Sequence, residues 1–278
     1  MKRRFVIAWL ALATAATVTT GARRANAQEI QLTGPLKGAP AVRHLRLYRQ
    51  GRLEISPSVS FTLLDEYQRT ILAGAILSYG IRDWLAIGVW GAAGVVSSPT
   101  YLTEQINATS PRNAFTANNV GSDFINQTAT IQYMVAPQLT FIPFRGKLAI
   151  FNKIFVDSDL YISGGAAIVG IKERGDCGPS YQFLCSNPQS FALSSVTKVA
   201  PTFSVGFKFY PAGFWSLGVE YRAVPFSWNR AGFDSRGTGP NGNFPDGTIN
   251  SQDETFKFNQ LLTVSVGFYL PTGPKLSD

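Results

Sequence analysis

The side chains of this 278-residue chain that could carry out chemistry are few. Its single histidine, His44, stands alone near the start of the chain, so a hydrolase or acyltransferase that pairs His with Ser or Asp is hard to assemble. The sequence contains no phosphate-binding loop, dinucleotide fingerprint or metal-ligand spacing. We therefore expect no catalytic residue, no cofactor and no metal, and a protein that is not an enzyme.

Two pairs of charged residues have a spacing that a carboxylate site could use. Asp157 and Asp159 are two positions apart, and so are Glu220 and Arg222. In an extended strand, residues two apart lie on the same face. An internal ion-pair network explains both pairs, and it is the interpretation that we prefer over a carboxylate site.

The two cysteines, Cys177 and Cys185, lie close together in a polar stretch. In an exported protein this spacing predicts a disulfide, and two free thiols are the alternative. Closing so short a loop would stabilise the fold by ~2–3 kcal/mol in the chain-entropy model.

Residues 1–27 have the features of a secretory signal peptide. Three basic residues at positions 2–4 precede the apolar run Phe5–Val18, which is too short to span a membrane. Small residues then predict cleavage between Ala27 and Gln28. The alternative is a retained amphipathic anchor.

The net charge of +8 is misleading as a sign of nucleic-acid binding. Five of the basic residues lie in residues 1–27, which contain no acid, so the rest of the chain carries only +3. Charged residues make up 15% of the chain, against about 25% in soluble domains. We expect no nucleic-acid partner, because no basic and aromatic platform accompanies this small charge.

The clearest structural signal is the stretch Gly51–Leu64. Odd positions from Leu53 to Leu63 are apolar, and even positions from Arg52 to Thr62 are polar or charged. This alternation over twelve residues predicts a strand with one apolar and one polar face. It is long for a globular strand, but it suits a tilted strand that crosses a bilayer, for which roughly 9–11 residues suffice.

The rest of the chain mostly repeats this design, which gives about eight strands in all. Turn-sized connections, including one at residues 143–147, alternate with the long polar stretches Val96–Gln127, Lys172–Thr197 and Pro225–Glu254. This asymmetry is typical of an outer-membrane barrel with short periplasmic turns and long surface loops. We predict an all-β, closed, antiparallel, up-and-down transmembrane β-barrel. The expected segments are a signal peptide (1–27), a periplasmic linker (28–50), the barrel (51–270) and a C-terminal tail (271–278).

The polar face of the strands is expected to point inward. A narrow eight-stranded interior is filled by side chains, and opposite charges can pair there. Aromatic residues near strand ends, such as Tyr79, Trp84, Trp215, Phe226 and Phe256, would form interfacial girdles. The expected interior charges are Arg52, Glu54, Asp157, Asp159, Lys208, Glu220, Arg222 and Lys257. In the alternative, a soluble lipocalin-like barrel, the apolar face would surround a ligand.

Three blocks of sequence carry a family resemblance: RLYRQGRLEISPSVSFTLLDEY (46–67), FRGKLAIFNKIFVDSDLYISGGAAIVG (144–170) and NQLLTVSVGFYLPTGP (259–274). They resemble an outer-membrane β-barrel domain family common in myxobacteria and related deltaproteobacteria, and more loosely OmpA-type eight-stranded barrels. The resemblance implies an integral outer-membrane protein. Some relatives are linked to gliding-motility or envelope complexes, and the family brings no catalytic residues.

We therefore expect a bacterial outer-membrane protein with a structural or interaction role in the envelope. Its partners would be outer-membrane lipids and envelope proteins that bind the loops or residues 28–50. Two other functions stay open at this point: a small outer-membrane channel and a soluble periplasmic ligand-binding barrel.

Overall fold

The fold is a closed antiparallel barrel of eight strands, each paired with its neighbours in the chain and the last paired with the first. The computed structural model describes residues 47–109, 124–150, 154–174, 193–233, 235–238, 242, 249–273 and 275–276. This architecture confirms the predicted up-and-down barrel. In these ranges the strands are β1 (Leu47–Tyr48), β2 (Leu53–Leu63), β3 (Gln68–Arg82), β4 (Leu85–Pro99), β5 (Thr130–Ile150), β6 (Ile154–Arg174), β7 (Leu193–Ala212), β8 (Trp215–Trp228), β9 (Thr255–Leu270) and β10 (Lys275–Leu276).

The ring β2–β9 closes with a stagger. Passing from Leu53 to the residue opposite it on each successive strand leads back to β2 at Leu63, ten residues further along. Such a stagger in eight strands tilts them by roughly 40° to the barrel axis and leaves an interior only wide enough for side chains. The contents of that interior therefore decide what the barrel can do.

The alternation in β2 orients the wall as predicted. Glu54, Ser56 and Ser60 are buried inside the ring, whereas Leu53 and Phe61 are exposed on its outer surface. The same orientation holds around the ring. Each of the eight strands carries exposed apolar side chains on its outer face: Leu53, Phe61, Leu77, Tyr79, Ile87, Val89, Leu139, Phe141, Ile162, Ile168, Phe203, Val205, Leu217, Val219, Val264 and Phe268.

The interior has two layers. We call the end with the β2–β3 turn and the connections after β4, β6 and β8 the loop end, and the opposite end, with β1 and β10, the terminus end. The half nearer the loop end is an apolar core built around Leu72, Trp90, Met134 and Val169, all fully buried. The half nearer the terminus end contains most of the buried charge. The sequence did not predict the apolar half, because β3 carries apolar residues on both faces there and hides the alternation.

One predicted turn is wrong. Residues 143–147 lie within β5, which pairs with β6 from Thr130↔Lys172 as far as Ile150↔Ile154. The two strands are joined by residues 151–153, which lie outside the described ranges. The pairing between β4 and β5 ends at Phe141. Beyond it, the edge of β5 that faced β4 is unpaired, so the missing N–H of Pro143 costs little there.

Two other expectations also need correction. Phe226, predicted in an outer girdle, is buried in the core because it has the same strand parity as Arg222, which points inward. The stretch Val96–Gln127, expected to be a loop, contains the end of β4 and the helices α1 (Tyr101–Thr109) and α2 (Phe124–Gln127). The ends of β6, β7 and β8 likewise extend into the other two expected loops, Lys172–Thr197 and Pro225–Glu254. In the described part of the chain, neither these helices nor any other is long and apolar enough to cross a membrane.

At the terminus end, a tight turn brings the chain into the barrel. Asp83 Oδ1 accepts hydrogen bonds from the backbone N–H groups of Arg49 (2.8 Å) and Gln50 (3.0 Å), and the Arg52 N–H donates to the Arg49 carbonyl (3.0 Å). Gly51 has a φ of +74°, which only glycine adopts freely. Just before this turn, β1 pairs with β10, so both ends of the described chain are held together.

The close packing of this turn can be tested by substitution at Gly80. A Cβ at Gly80 would lie 2.4 Å from the Arg49 carbonyl oxygen, whereas a Cβ at Gly164 would meet open space. We expect Gly80→Ala to lower the free energy of unfolding by about 1–3 kcal/mol, because the turn must move. Gly164→Ala, the matched control, should change it by less than about 0.5 kcal/mol. Urea titration of both variants in lipid vesicles measures the difference, and equal effects would contradict the close packing of Gly80 against Arg49.

Candidate functional site

The central feature of the polar layer is an ion pair that crosses the barrel. Lys208 on β7 donates from Nζ to both carboxylate oxygens of Glu54 on β2, at 2.5 and 2.6 Å. Glu54 also accepts from the hydroxyls of Ser56 (2.7 Å) and Ser78 (2.9 Å). Because β2 and β7 are not neighbours in the ring, this pair ties opposite parts of the wall together.

Arg222 forms the boundary between the polar and apolar layers. It is fully buried, and its Nε and Nη2 donate to Glu220 Oε1 at 2.9 and 2.7 Å. Nη2 also donates to Gln138 Oε1 (2.7 Å), and Nη1 donates to Thr202 Oγ1 (3.2 Å). The guanidinium lies 4.4 Å from the ring centroid of Trp90, a fully buried tryptophan of the apolar core. Charge-assisted hydrogen bonds and stacking thus hold one arginine against three strands.

Two further arginines close the terminus end. Arg49 forms an ion pair with Asp159, and its guanidinium lies 4.9 Å from the Tyr210 ring centroid. Arg52 donates from Nη2 to the backbone carbonyls of Gly213 (3.0 Å) and Pro271 (3.1 Å). These contacts join the turn before β2 to the β7–β8 turn and to the chain after β9.

Most of the charges expected in the interior meet in this layer. Arg52, Glu54, Asp159, Lys208, Glu220 and Arg222 all lie there, and each side chain is at least largely buried. Lys257 instead lies at the loop end, where Nζ donates to Glu66 Oε1 at 2.6 Å. Asp157 is half-buried at the terminus end, opposite Tyr210 in the pairing with β7.

Arg49 is a member of this layer that the sequence patterns did not reveal. It belongs to a basic run that is typical of a solvated segment, yet only 7% of it is exposed. Its burial depends on Asp159 and Tyr210, which are distant in sequence, so no local pattern marks it. Cys177, Cys185, Ala27 and Gln28 lie outside the described residues, and the disulfide and the signal cleavage stay predictions.

The loop end is covered by its own connections. Phe124 of α2 is fully buried between the rings of Tyr67 (5.5 Å between centroids) and Phe233 (5.4 Å). Gln127 donates from Nε2 to the Ala231 carbonyl (2.9 Å), which joins the connections that follow β4 and β8. Ion pairs surround this cover: Glu66 with Arg230 and Lys257, and Lys198 with Glu254.

At this end, Asp65, in the turn between β2 and β3, has a pKa well above its ordinary value. Burial raises its pKa to about 6, and a hydrogen bond from Thr62 and the charge of Arg230 only partly oppose that rise. The pKa of the adjacent Glu66 is lowered by its hydrogen bond with Lys257.

The charged side chains of the polar layer are mostly engaged with one another. Its carboxylates are engaged by cations, and among the described residues no group of three or more His, Cys, Asp and Glu side chains could hold a metal ion. A cavity of about 30 Å³ lies within the layer, bordered by Arg49, Arg52 and Ser78 among others. This arrangement fills and braces the barrel, and it provides room for a very small ligand at most.

Comparison with known proteins gives similarity in structure only. No family model matches the chain, and no curated protein matches it. Among solved structures, it is similar to the N-terminal β-barrel domain of Pseudomonas aeruginosa OprF, with 10% identity, coverage of 80% of this chain and 98% of that one, and a TM-score of 0.43. The outer-membrane protein OprG of P. aeruginosa is 8% identical over 81% of this chain and 98% of its own, with a TM-score of 0.41. Ail of Yersinia pestis, solved with the heparin analogue sucrose octasulfate, is 11% identical over 80% of this chain and 99% of its own, with a TM-score of 0.36.

The Glu54–Lys208 pair can be tested by a double-mutant cycle. Removing one partner leaves a buried charge without its counter-charge, so Glu54→Gln and Lys208→Met should each cost about 3–5 kcal/mol of unfolding free energy. The double variant should recover at least half of the summed loss. As a control, Lys257→Met breaks an exposed pair with Glu66 and should cost less than about 1 kcal/mol. Additive losses at Glu54 and Lys208 would show that the two side chains do not interact.

The raised pKa of Asp65 predicts a pH-dependent effect of Asp65→Asn. Between the ordinary pKa of 3.8 and the raised value of about 6, the unfolded chain is ionised while the folded chain keeps its proton. Stability from this group is therefore greatest below pH 4, and it falls as the pH rises to 6. We expect the variant to match the parent near pH 4 and to exceed it by about 1–3 kcal/mol at pH 7, since Asn carries no charge to desolvate. Urea titrations at a series of pH values check this, and a pH-independent difference would contradict it.

Proposed function

We propose that this protein is an integral outer-membrane β-barrel, located in the bacterial outer membrane, with a structural or interaction role and no enzymatic activity. The observation that supports this most strongly is the outer surface of the wall, which carries exposed apolar side chains on each of its eight strands. Soluble monomers rarely expose contiguous apolar surface beyond a few hundred Å². A bilayer covers such a surface, and the closed strand ladder leaves no wall edge unpaired within it.

The dimensions and the ends of the wall agree with a bilayer. The shortest strand of the ring, β2, has 11 residues, enough for one crossing. Exposed aromatic side chains lie at both ends: Tyr79 and Trp84 at the terminus end, and Phe256 at the loop end. Tyrosine and tryptophan favour the membrane interface because one edge of each ring is polar.

The filled interior favours an anchor over a channel. Leu72, Trp90 and Met134 are fully buried in the apolar half, and the ion pairs of Lys208 and Arg222 fill the other half. Both mouths are also occupied, by the cover over the loop end and by the arginines of the terminus end. A barrel built in this way holds the described segments of its two ends, α2 at the loop end and the β1–β10 pair at the terminus end, on opposite sides of the membrane.

An interaction role would use those two ends. The surface loops and residues 28–50 are the segments that we propose to contact envelope proteins. Membership in a motility or envelope complex, and the relationship to the deltaproteobacterial barrel family, are supported only by the three resembling sequence blocks.

The lipid-facing wall can be tested by placing arginine at two exposed positions. Val205 lies on the outer face of β7, and Leu64 is 82% exposed in the turn at the loop end. Arginine costs about 2–4 kcal/mol at the bilayer midplane and close to zero outside it. In lipid vesicles we expect Val205→Arg to lose about that amount, while Leu64→Arg stays within about 0.5 kcal/mol of the parent.

A soluble barrel gives a different result. Both side chains would then face water, both substitutions would be nearly neutral, and the protein would be released with the periplasmic fraction on osmotic shock. That pair of results would overturn the proposed location.

A further inference from the structure

Among the described residues, the polar layer contains four largely buried cations, Arg49, Arg52, Lys208 and Arg222, but only three buried carboxylates. Three ion pairs account for the carboxylates at its centre: Glu54 with Lys208, Asp159 with Arg49, and Glu220 with Arg222. Arg52 is left over. It is 2% exposed, and in the described part of the chain no carboxylate lies within ion-pair distance of it.

The hydrogen bonds of Arg52 are also incomplete. Nη2 is used by the carbonyls of Gly213 and Pro271, but Nε and Nη1 are buried and have no hydrogen-bond partner among the described residues. The Tyr269 ring, 5.1 Å from the guanidinium, supplies only a weak attraction for the charge. A buried cation with open donors is costly unless an anion or an acceptor approaches it.

The cavity in the polar layer lies beside these donors. Its volume is about 30 Å³, and both Arg52 and Arg49 border it. The carboxylates of Glu54, Asp159 and Glu220 border it too, but each of them already forms an ion pair. Arg49 likewise has Nε and Nη1 buried without a hydrogen-bond partner in the described structure. The Thr140 hydroxyl also borders the cavity, and it can donate to a bound acceptor when it accepts its hydrogen bond from Ser163.

We propose that this cavity is a binding site for one small monovalent anion of the halide class, with chloride as the natural occupant. The charge of the anion neutralises Arg52, and the open guanidinium donors supply charge-assisted hydrogen bonds to it. The volume admits one or two water-sized particles, so a phosphate or a carboxylate-bearing metabolite is too large. Because Arg52 also bonds to the carbonyls of Gly213 and Pro271, the anion stabilises the closed terminus end.

The experiment is thermal unfolding of the refolded protein in detergent, at fixed ionic strength, with chloride or bromide replacing gluconate. An anion that binds only the folded barrel raises the midpoint by roughly 3–5 °C for each tenfold rise in halide above its dissociation constant. Arg52→Gln should lose this dependence. Arg69→Gln, which removes an exposed arginine at the loop end, should keep it.

A direct measurement makes the test independent of the variants. Crystals of the unaltered protein grown in bromide should show an anomalous peak within hydrogen-bond distance of Arg52. If Arg52→Gln fails to fold, this peak alone decides the question. A midpoint insensitive to halide, a halide effect that persists in Arg52→Gln, or a cavity that contains only water would overturn the proposal.

Discussion

The closure of the ring between β2 and β9 is the constraint on which the rest of the structure depends. Eight strands with a stagger of ten residues give a tilt and a radius that leave no lumen, so the inward side chains must pack against one another. The wall then has only two environments, a crowded interior and a continuous outer surface. The interior holds the buried charges beside an apolar core, whereas the outer surface is apolar on all eight strands. A continuous apolar exterior reverses the surface of a soluble protein, and that reversal is the physical basis for a barrel in lipid.

The crowded interior explains why buried charge is tolerated. Lys208 and Glu54 lie on strands that are not neighbours, and their hydrogen bonds brace the wall across its width. Arg222 combines two hydrogen bonds to Glu220 with stacking on Trp90, and so joins the polar layer to the apolar core. Such pairs contribute little net stability against apolar replacements, but they penalise a slipped register strongly, because a shift of one residue would move each charge into the outer surface.

The sequence predicts the wall well and the interior partly. The strict alternation of β2 reveals both of its faces, because its inward side chains are small and polar. In β3 the inward Leu72 and Ile76 are as apolar as the outward Leu77, so the apolar core gives no periodic signal. Arg49 is the clearest case of information that is not local, since only the folded ring brings Asp159 to it. A proline and a glycine at 143–147 suggested a turn, but at a free hairpin edge neither residue needs to end a strand.

Heat-modifiable gel mobility of the protein in a detergent-washed outer-membrane fraction tests the central claim most directly. A closed barrel whose apolar wall faces lipid should stay with the membrane and resist unfolding by detergent at room temperature, so unboiled and boiled samples should migrate differently. If the protein is instead released in soluble form and migrates identically before and after boiling, the outer surface does not face lipid, and the protein is not an integral membrane barrel.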